Sequence, residues 1–581
     1  MQAAMLAAAG DGKTRTAQAM QPIDMSSDPQ TGQPKAPGGR HPLLLVATAI
    51  LVPLIILGIV ELSLRVAGVG YEPDLLIPCT VQGSSASCYN LFFEAPFFPA
   101  GMVQTPRLFS IPSVKAPGTF RIFVLGESAA MGDPDPAYGF SRYLEVMLRE
   151  RFPAMRFEVV NTGTVAINSH VVLRIAEELE NQKPDVFIVY SGNNEVVGPY
   201  GPGTVLTSSG MSLPVVRGSI FLRSTRIGQL VTKLGTQKQE WRGMELFLDK
   251  QIPARSPLLA RAYANFEQNL RDTIAAGRKA GAKTIVATVA TNVKDCAPFA
   301  SAHRENLRED ELHSWDALFQ QGKNLEEARS YGEALRAYMS AAKIDGEYAE
   351  LEFRIARCLW ILGDYQGARE HFSRGRDLDT LRFRADSRIN DINRSVAASS
   401  PGVGLVDTEA ILANARPDGT IGSDLVYEHV HLTPEANYLL ARAIFQQIAA
   451  NLPTATGSSA GTAVPSEADC ERLLALTQYD RARLAAEMLR RLQKPPFTTQ
   501  INHSEQILRL VPMAERPNEN PNDTAAQYQW AIARAPDDRM LRYRFGLFLY
   551  EYNRAAAAQE LGMAQPWDDY PVFLPDGTQI R

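Results

Sequence analysis

The longest uninterrupted apolar stretch runs over 42–60, PLLLVATAILVPLIILGIV, nineteen residues without a charge. At the helical rise it covers roughly 29 Å, one bilayer hydrocarbon core, and membrane helices tolerate a proline such as Pro53. The residues that follow, Glu61-Leu62-Ser63-Leu64-Arg65, continue the helix and carry no small-x-small cleavage pattern. The pattern therefore predicts a retained transmembrane helix over 42–65, not a cleaved leader. Residues 1–41 are rich in Ala, Gln, Pro and Gly without periodicity, which predicts a disordered tail.

From residue 117 the pattern changes. Short apolar runs at 121–125, 157–160, 185–190 and 284–289 alternate with amphipathic stretches at 140–151, 170–181, 263–280, 385–396 and 434–450. Strand–helix alternation of this kind predicts a parallel sheet with helices on both faces, a three-layer α/β/α fold. It is interrupted over 301–382 by a helical segment that matches itself at a spacing of thirty-four. Tyr331 pairs with Tyr365, Ala334 with Ala368, Tyr338 with Phe372 and Asp345 with Asp379. This period resembles tetratricopeptide repeats. A low-complexity linker over 454–469 precedes a second helical region, 470–581, where YQWAIARAP at 528–536 resembles the end of such a unit. The predicted order is thus tail 1–41, anchor 42–65, linker 66–116, α/β core 117–300, insertion 301–382, α/β core 383–453, linker 454–469 and helical region 470–581. A Gly/Pro/Ser-rich excursion over 199–259 directly follows the third strand, a position from which it can shape a pocket.

Composition narrows the reading. The net charge of −5 leaves no basic footprint for nucleic acid, and 45% hydrophobic residues suffice for a sizeable core. No Cys-x-x-Cys pair occurs among the five cysteines, so zinc-ribbon and thioredoxin chemistry find no support. Lys13, Arg15, Lys35 and Arg40 precede the apolar span, whereas Arg65 is the only Lys or Arg after it until Arg107. The positive-inside rule then puts the N-terminus in the cytoplasm and the body beyond the membrane. Cys79 and Cys88, in the short loop PCTVQGSSASC, are expected to form a disulfide in that compartment, while Cys296, Cys358 and Cys470 stand alone.

The candidate chemistry lies where strands end, as expected for an open parallel sheet. Gly126-Glu127-Ser128 follows the first strand, 161–169 the second, and Ser191-Gly192-Asn193-Asn194-Glu195 the third. Late in the chain, Glu428-His429-Val430-His431 precedes Thr433 and Pro434, an expected helix cap and first helical residue. Ser128 is a nucleophile that needs a base, His431 can be that base, and Glu428 can orient its ring. Backbone N–H groups after the first two strands and an Asn side chain after the third can receive an oxyanion. A metal is the competing use of His429 and His431, which alternate on an extended segment; the reading taken is no metal and no cofactor.

Together these motifs resemble the SGNH, or GDSL, hydrolase superfamily, whose flavodoxin-like fold the resemblance implies for 117–300 and 383–453. The family's first block, GDS, appears as Gly126-Glu127-Ser128, with Ser128 as nucleophile. The second supplies a glycine N–H five residues after an Asn; counted from Asn161 this is Ala166, with Gly163 as a nearby substitute. A backbone donor survives that change provided φ stays negative. The third block, GxND, appears as Gly192-Asn193-Asn194-Glu195, making Asn194 an oxyanion donor. The last, DxxH, appears as 428–431, making His431 the base and Glu428 its partner, with Glu again replacing Asp. The resemblance implies a serine esterase acting on acyl or acetyl esters of a glycan, lipid or small molecule, by hydrolysis or transfer, and the apolar span makes it membrane-anchored. The alternative is an inactive scaffold that binds protein partners through its repeats.

Overall fold

The computed structural model describes residues 42–99, 101–103, 108–207, 209–235, 240–452, 463–516 and 518–579. The tail 1–41 and most of the linker 454–469 lie outside the described residues. The chain falls into two compact units, one ending at Leu62 and one running from Ser63 onward.

The apolar run forms a single helix, Pro42–Val66, with Pro53 inside it. Its segment Leu45–Val66 has a mean hydropathy of 2.6 and is unburied; among the described residues it is the one helix long and apolar enough to cross a membrane. After it, the segment read as a cysteine loop is a hairpin. Strands β1 (Leu76–Val81) and β2 (Ser84–Tyr89) pair antiparallel around Gln82 and Gly83, and β3 (Ser110–Pro112) extends the sheet. Both turn residues take positive φ, 51° and 73°, the geometry whose twist matches the flanking strands. The expected Cys79–Cys88 disulfide bridges the two strands, with the Cα atoms 5.9 Å apart.

The second sheet is parallel throughout. It contains β4 (Thr119–Gly126), β5 (Arg156–Asn161), β6 (Val186–Tyr190), β7 (Lys283–Ala287) and β8 (Gly404–Val406), in the order β5-β4-β6-β7-β8. β8 was not expected: its three residues are too few for periodicity to register. Ile122, Phe123, Val124 and Leu125 are all buried, because both faces of β4 are covered. On β6, Tyr190 meets Phe140 of the helix Phe140–Arg151, while Phe187 lies against Gly277 of the helix Pro257–Lys279. Residues three apart on a strand face opposite ways, so these helices form outer layers on either side. The chain leaves β4 toward β5 on one side and returns to β6 on the other. The loops after these three strands therefore open into one crevice at the topological switch point.

The 34-residue spacing has a structural counterpart. Helices Tyr331–Ile344 and Tyr365–Leu378 each have fourteen residues, open on the paired tyrosines and end at the paired Asp345 and Asp379. Ala334, Tyr338, Ala368 and Phe372 are buried. In the C-terminal region, the stretch after 528–536 forms the helices Arg539–Tyr550 and Arg554–Met563. Leu473, Leu484, Met488, Leu492 and Leu510 of this region belong to the same hydrophobic core as the parallel sheet. Within the excursion 199–259 the chain forms helices Leu213–Ser224 and Arg226–Gly235 and a short turn of helix, Gly243–Phe247.

Candidate active site

β4 ends at Gly126, where a Cβ would stand 2.0 Å from the Tyr190 carbonyl oxygen, so only glycine lets β4 and β6 approach here. The chain then turns at Glu127 into the four-residue helix Ser128–Met131, which carries Ser128 as its first residue. The loop after β5 is locked against this turn. Asn161 Nδ2 donates to the Ala130 carbonyl at 2.8 Å and to Ser141 Oγ at 2.9 Å, and Thr162 N–H donates to the Val124 carbonyl at 2.9 Å.

Glu127 gathers the third loop. Its buried carboxylate accepts from Ser191 Oγ and the N–H groups of Gly192 and Asn193, each at 2.9 Å, and from Asn194 N–H at 3.1 Å. Burial pushes its pKa up to about 7 against the pull of these four donors. Glu195 is raised to about 8, by burial and then by the charge of Glu127; it accepts from Ser169 N–H at 2.8 Å and Ser169 Oγ at 2.7 Å. Asn194 Nδ2 donates to the Ile167 carbonyl at 3.0 Å, joining the second and third loops.

His431 arrives on a closed loop. Tyr427 N–H donates to the His431 carbonyl at 2.8 Å, and Val426 and Leu432 form an antiparallel bridge. Thr433 caps the helix Pro434–Ala449, as expected. His431 Nε2 lies 2.8 Å from Ser128 Oγ, and His431 Nδ1 is hydrogen-bonded to Glu428 Oε1. Glu428 Oε2 accepts from Val430 N–H at 2.9 Å, from His431 N–H at 3.3 Å and from His429 N–H. These bonds fix the carboxylate on its own loop. Burial alone would raise the pKa of Glu428, but the charges of His431 and His429 and their hydrogen bonds hold it well below the usual carboxylate range. For His431, burial is outweighed by Glu428 and Asp133, and the ring is held above its ordinary value.

Ser128, Glu428 and His431 are thus joined directly. Asn194 is tied to them through Glu127, the neighbour of Ser128. Ala166 is not hydrogen-bonded into the cluster: among the described residues its N–H meets no acceptor. Its backbone does take the positive φ that a glycine would take freely: Ala166 sits at φ 60°, a left-handed conformation that costs an alanine about 1–2 kcal/mol but leaves its N–H in place. Gly163 is no substitute donor, because its N–H already donates to Asn161 Oδ1 at 2.9 Å. Potential ligand atoms of Glu428, His429 and His431 lie within 4.8 Å of one another. Both ring nitrogens of His431 are engaged, by Glu428 and Ser128, so an ion would have to displace one of these contacts.

Two residues at the site carried no signal of their own in the sequence. Asp133 Oδ2 lies 3.1 Å from His431 Nε2, the nitrogen that also faces Ser128. Arg491, 358 residues away on the helix Gln478–Leu492, grips both oxygens of Asp133, one at 2.8 Å. The His431 charge and this arginine pull the pKa of Asp133 below its ordinary value although burial opposes them. The position of Asp133 just beyond the Ser128 turn was the only available hint. The excursion 199–259 also reaches the surroundings of the site: Phe247 packs edge-on against Phe383, whose ring meets His429.

No protein-family profile matches this chain, and no curated protein sequence does. Solved structures similar to it include an acetyl-xylooligosaccharide esterase variant from Geobacillus stearothermophilus, at 12% identity and a TM-score of 0.29 over 58% of this chain and 97% of that one. A lipase/acylhydrolase from Enterococcus faecalis is similar at 12% identity and TM-score 0.27, over 57% and 97% of the two chains. A GDSL-like lipase from Bacteroides thetaiotaomicron is similar at 9% identity and TM-score 0.24, over 57% and 89%. At such scores the likeness adds nothing to the geometry.

Proposed function

We propose that this chain is a membrane-anchored serine esterase of the SGNH type. The observation that carries the reading is the contact of Ser128 Oγ with His431 Nε2 at 2.8 Å, with Glu428 on the opposite ring nitrogen. Ser128 Oγ attacks the ester carbonyl while its proton passes to neutral His431 Nε2. Glu428 stabilises the imidazolium so formed. The oxyanion is received by the N–H groups of Ser128 and Ala166 and by the Asn194 amide, whose Nδ2 has a second proton beyond the one bound to Ile167. Collapse of the tetrahedral intermediate breaks the C–O bond, and the leaving alcohol takes the proton from Nε2. Water, or a glycan hydroxyl in the transfer variant, then gives its proton to Nε2 as it attacks the acyl-serine, and collapse of that second intermediate breaks the acyl–Oγ bond while Nε2 returns the proton to Ser128. Substrates are acyl or acetyl esters of a glycan, a lipid or a small molecule.

In this reading Leu45–Val66 spans the membrane with the N-terminus in the cytoplasm, and the body faces the compartment beyond. The Cys79–Cys88 bridge supports that side, since disulfides persist outside the cytoplasm. The 34-spaced helices Tyr331–Ile344 and Tyr365–Leu378 are read as tetratricopeptide-like repeats offering a surface to a protein partner. Stopped-flow hydrolysis of p-nitrophenyl acetate tests the chemistry. A burst of p-nitrophenol stoichiometric with enzyme, absent in Ser128→Ala, is expected. Equal turnover by wild type and Ser128→Ala would refute the serine mechanism.

A further inference from the structure

The excursion after β6 carries cations and large apolar side chains together on its surface. Over 213–235 its two helices carry Arg217, Arg223, Arg226 and Lys233 and not one Asp or Glu. Large apolar side chains on them face outward: Phe221 is 69% exposed and Leu234 88%, with Val215, Leu222 and Val231 also exposed. Ile227, Val231 and Leu234 follow the i, i+4, i+7 spacing of a single helix face. Arg217 and Arg226 answer Asp272 and Glu72, while Arg223 and Lys233 meet no carboxylate among the described residues.

This hairpin is fastened to the chain just beyond the apolar helix. Tyr71 N–H donates to Gln229 Oε1, and Gln229 Nε2 donates to the Tyr71 carbonyl, each at 2.9 Å. Tyr71 comes five residues after Val66, where the helix ends. Five residues reach at most about 18 Å. The Tyr71 ring stacks on Phe92 at 5.4 Å, and Phe92 and Leu91 are exposed apolar residues too. A monomer surface rarely gathers so many large apolar side chains, and an apolar face flanked by two cations that meet no carboxylate among the described residues, Arg223 and Lys233, suits a lipid headgroup layer.

We propose that helices Leu213–Ser224 and Arg226–Gly235, with Leu91 and Phe92, form a foot that lies in the headgroup region of the bilayer crossed by Leu45–Val66. The foot rests on the anchored reading of that helix. It would hold the catalytic body against the membrane surface instead of leaving it on a free tether. The cations favour anionic lipid over zwitterionic lipid.

Single cysteines test this in the full chain, because Cys296, Cys358 and Cys470 are buried and Cys79 is bonded to Cys88. Phe221→Cys, Leu234→Cys, Leu57→Cys in the apolar helix and Leu508→Cys, 73% exposed on the helix His503–Ala514, are labelled with an environment-sensitive fluorophore. The proteins are reconstituted in phosphatidylglycerol-containing nanodiscs with nitroxide lipids. Labels at 57, 221 and 234 are expected to be quenched by lipid and the label at 508 by a water-soluble quencher only. Adding Arg223→Glu and Lys233→Glu should weaken quenching at 221 at least twofold without changing it at 57. Quenching at 57 but not at 221 or 234 overturns the foot and spares the anchor. Absence of quenching at 57 overturns both. A label at 221 shielded from lipid and water alike means that protein covers the helices, and also overturns the foot.

Discussion

His431 stands between two carboxylates built in opposite ways. On its Nδ1 side, Glu428 is three residues away and is fixed by backbone N–H groups of its own loop. On its Nε2 side, Asp133 belongs to the loop after the helix Ser128–Met131 and is held by Arg491 from the C-terminal helices. The first arrangement is local: once the loop closes, the carboxylate can point nowhere else. The second exists only when the C-terminal helices are docked. The difference is also chemical. A carboxylate on Nδ1 orients the ring and stabilises its charge without touching the reacting proton. A carboxylate on Nε2 competes with Ser128 for that nitrogen and stands where a leaving or attacking oxygen must come to exchange its proton. In the proposed mechanism the turn after β4 and the loop before the helix Pro434–Ala449 supply serine, base and carboxylate, and the C-terminal helices set the charge around them.

The comparison can be broken from either side. Glu428→Gln, which keeps shape but removes charge and misdirects the ring proton, should lower kcat by roughly 10³–10⁴-fold in an ester assay, the scale seen when a triad carboxylate is neutralised. Arg491→Met leaves the buried Asp133 without its cation and should destabilise the fold by about 3 kcal/mol in urea unfolding. Asp133→Asn with Arg491 intact should change stability less and act on pH dependence. Asp133 helps keep the His431 pKa raised, and the base must be neutral to act. Removing that charge therefore lets activity persist to lower pH, so the acidic limb of kcat/KM moves down, whereas Glu428→Gln cannot be rescued at any pH. The smallest effect is expected at Ala166. Ala166→Gly relieves left-handed strain and adds unfolded-state entropy, for a net gain of about 0.5–1 kcal/mol in stability with kcat unchanged within a few-fold.

The same division governs how much was legible in the sequence. The first strand reads from its unbroken apolar run, and the site loops read from their places after strands, because an open parallel sheet puts its sites there. The paired positions of the 34-residue period fall at the ends of the helices Tyr331–Ile344 and Tyr365–Leu378, although the period itself specified no helix boundaries. The β1–β2 hairpin was read as a loop because Pro, Gly and Ser dominate its composition, although Gln82-Gly83 between short runs was a usable turn signal. β8 is too short to show a period. The left-handed backbone at Ala166 was hidden because alanine usually avoids it. Asp133 and Arg491 are separated by 358 residues, and nothing local in either marks the other. A contact of that kind follows from packing of the C-terminal helices on the sheet's core, which periodicity does not specify.

The account turns on whether His431 activates Ser128. Labelling of the detergent-solubilised full chain with a fluorescent fluorophosphonate, mapped by peptide mass spectrometry, tests this directly. The account predicts one adduct on Ser128, absent in Ser128→Ala and at least a hundredfold slower to form in His431→Ala. A folded wild-type protein that takes no label, or takes it on another residue, would contradict it.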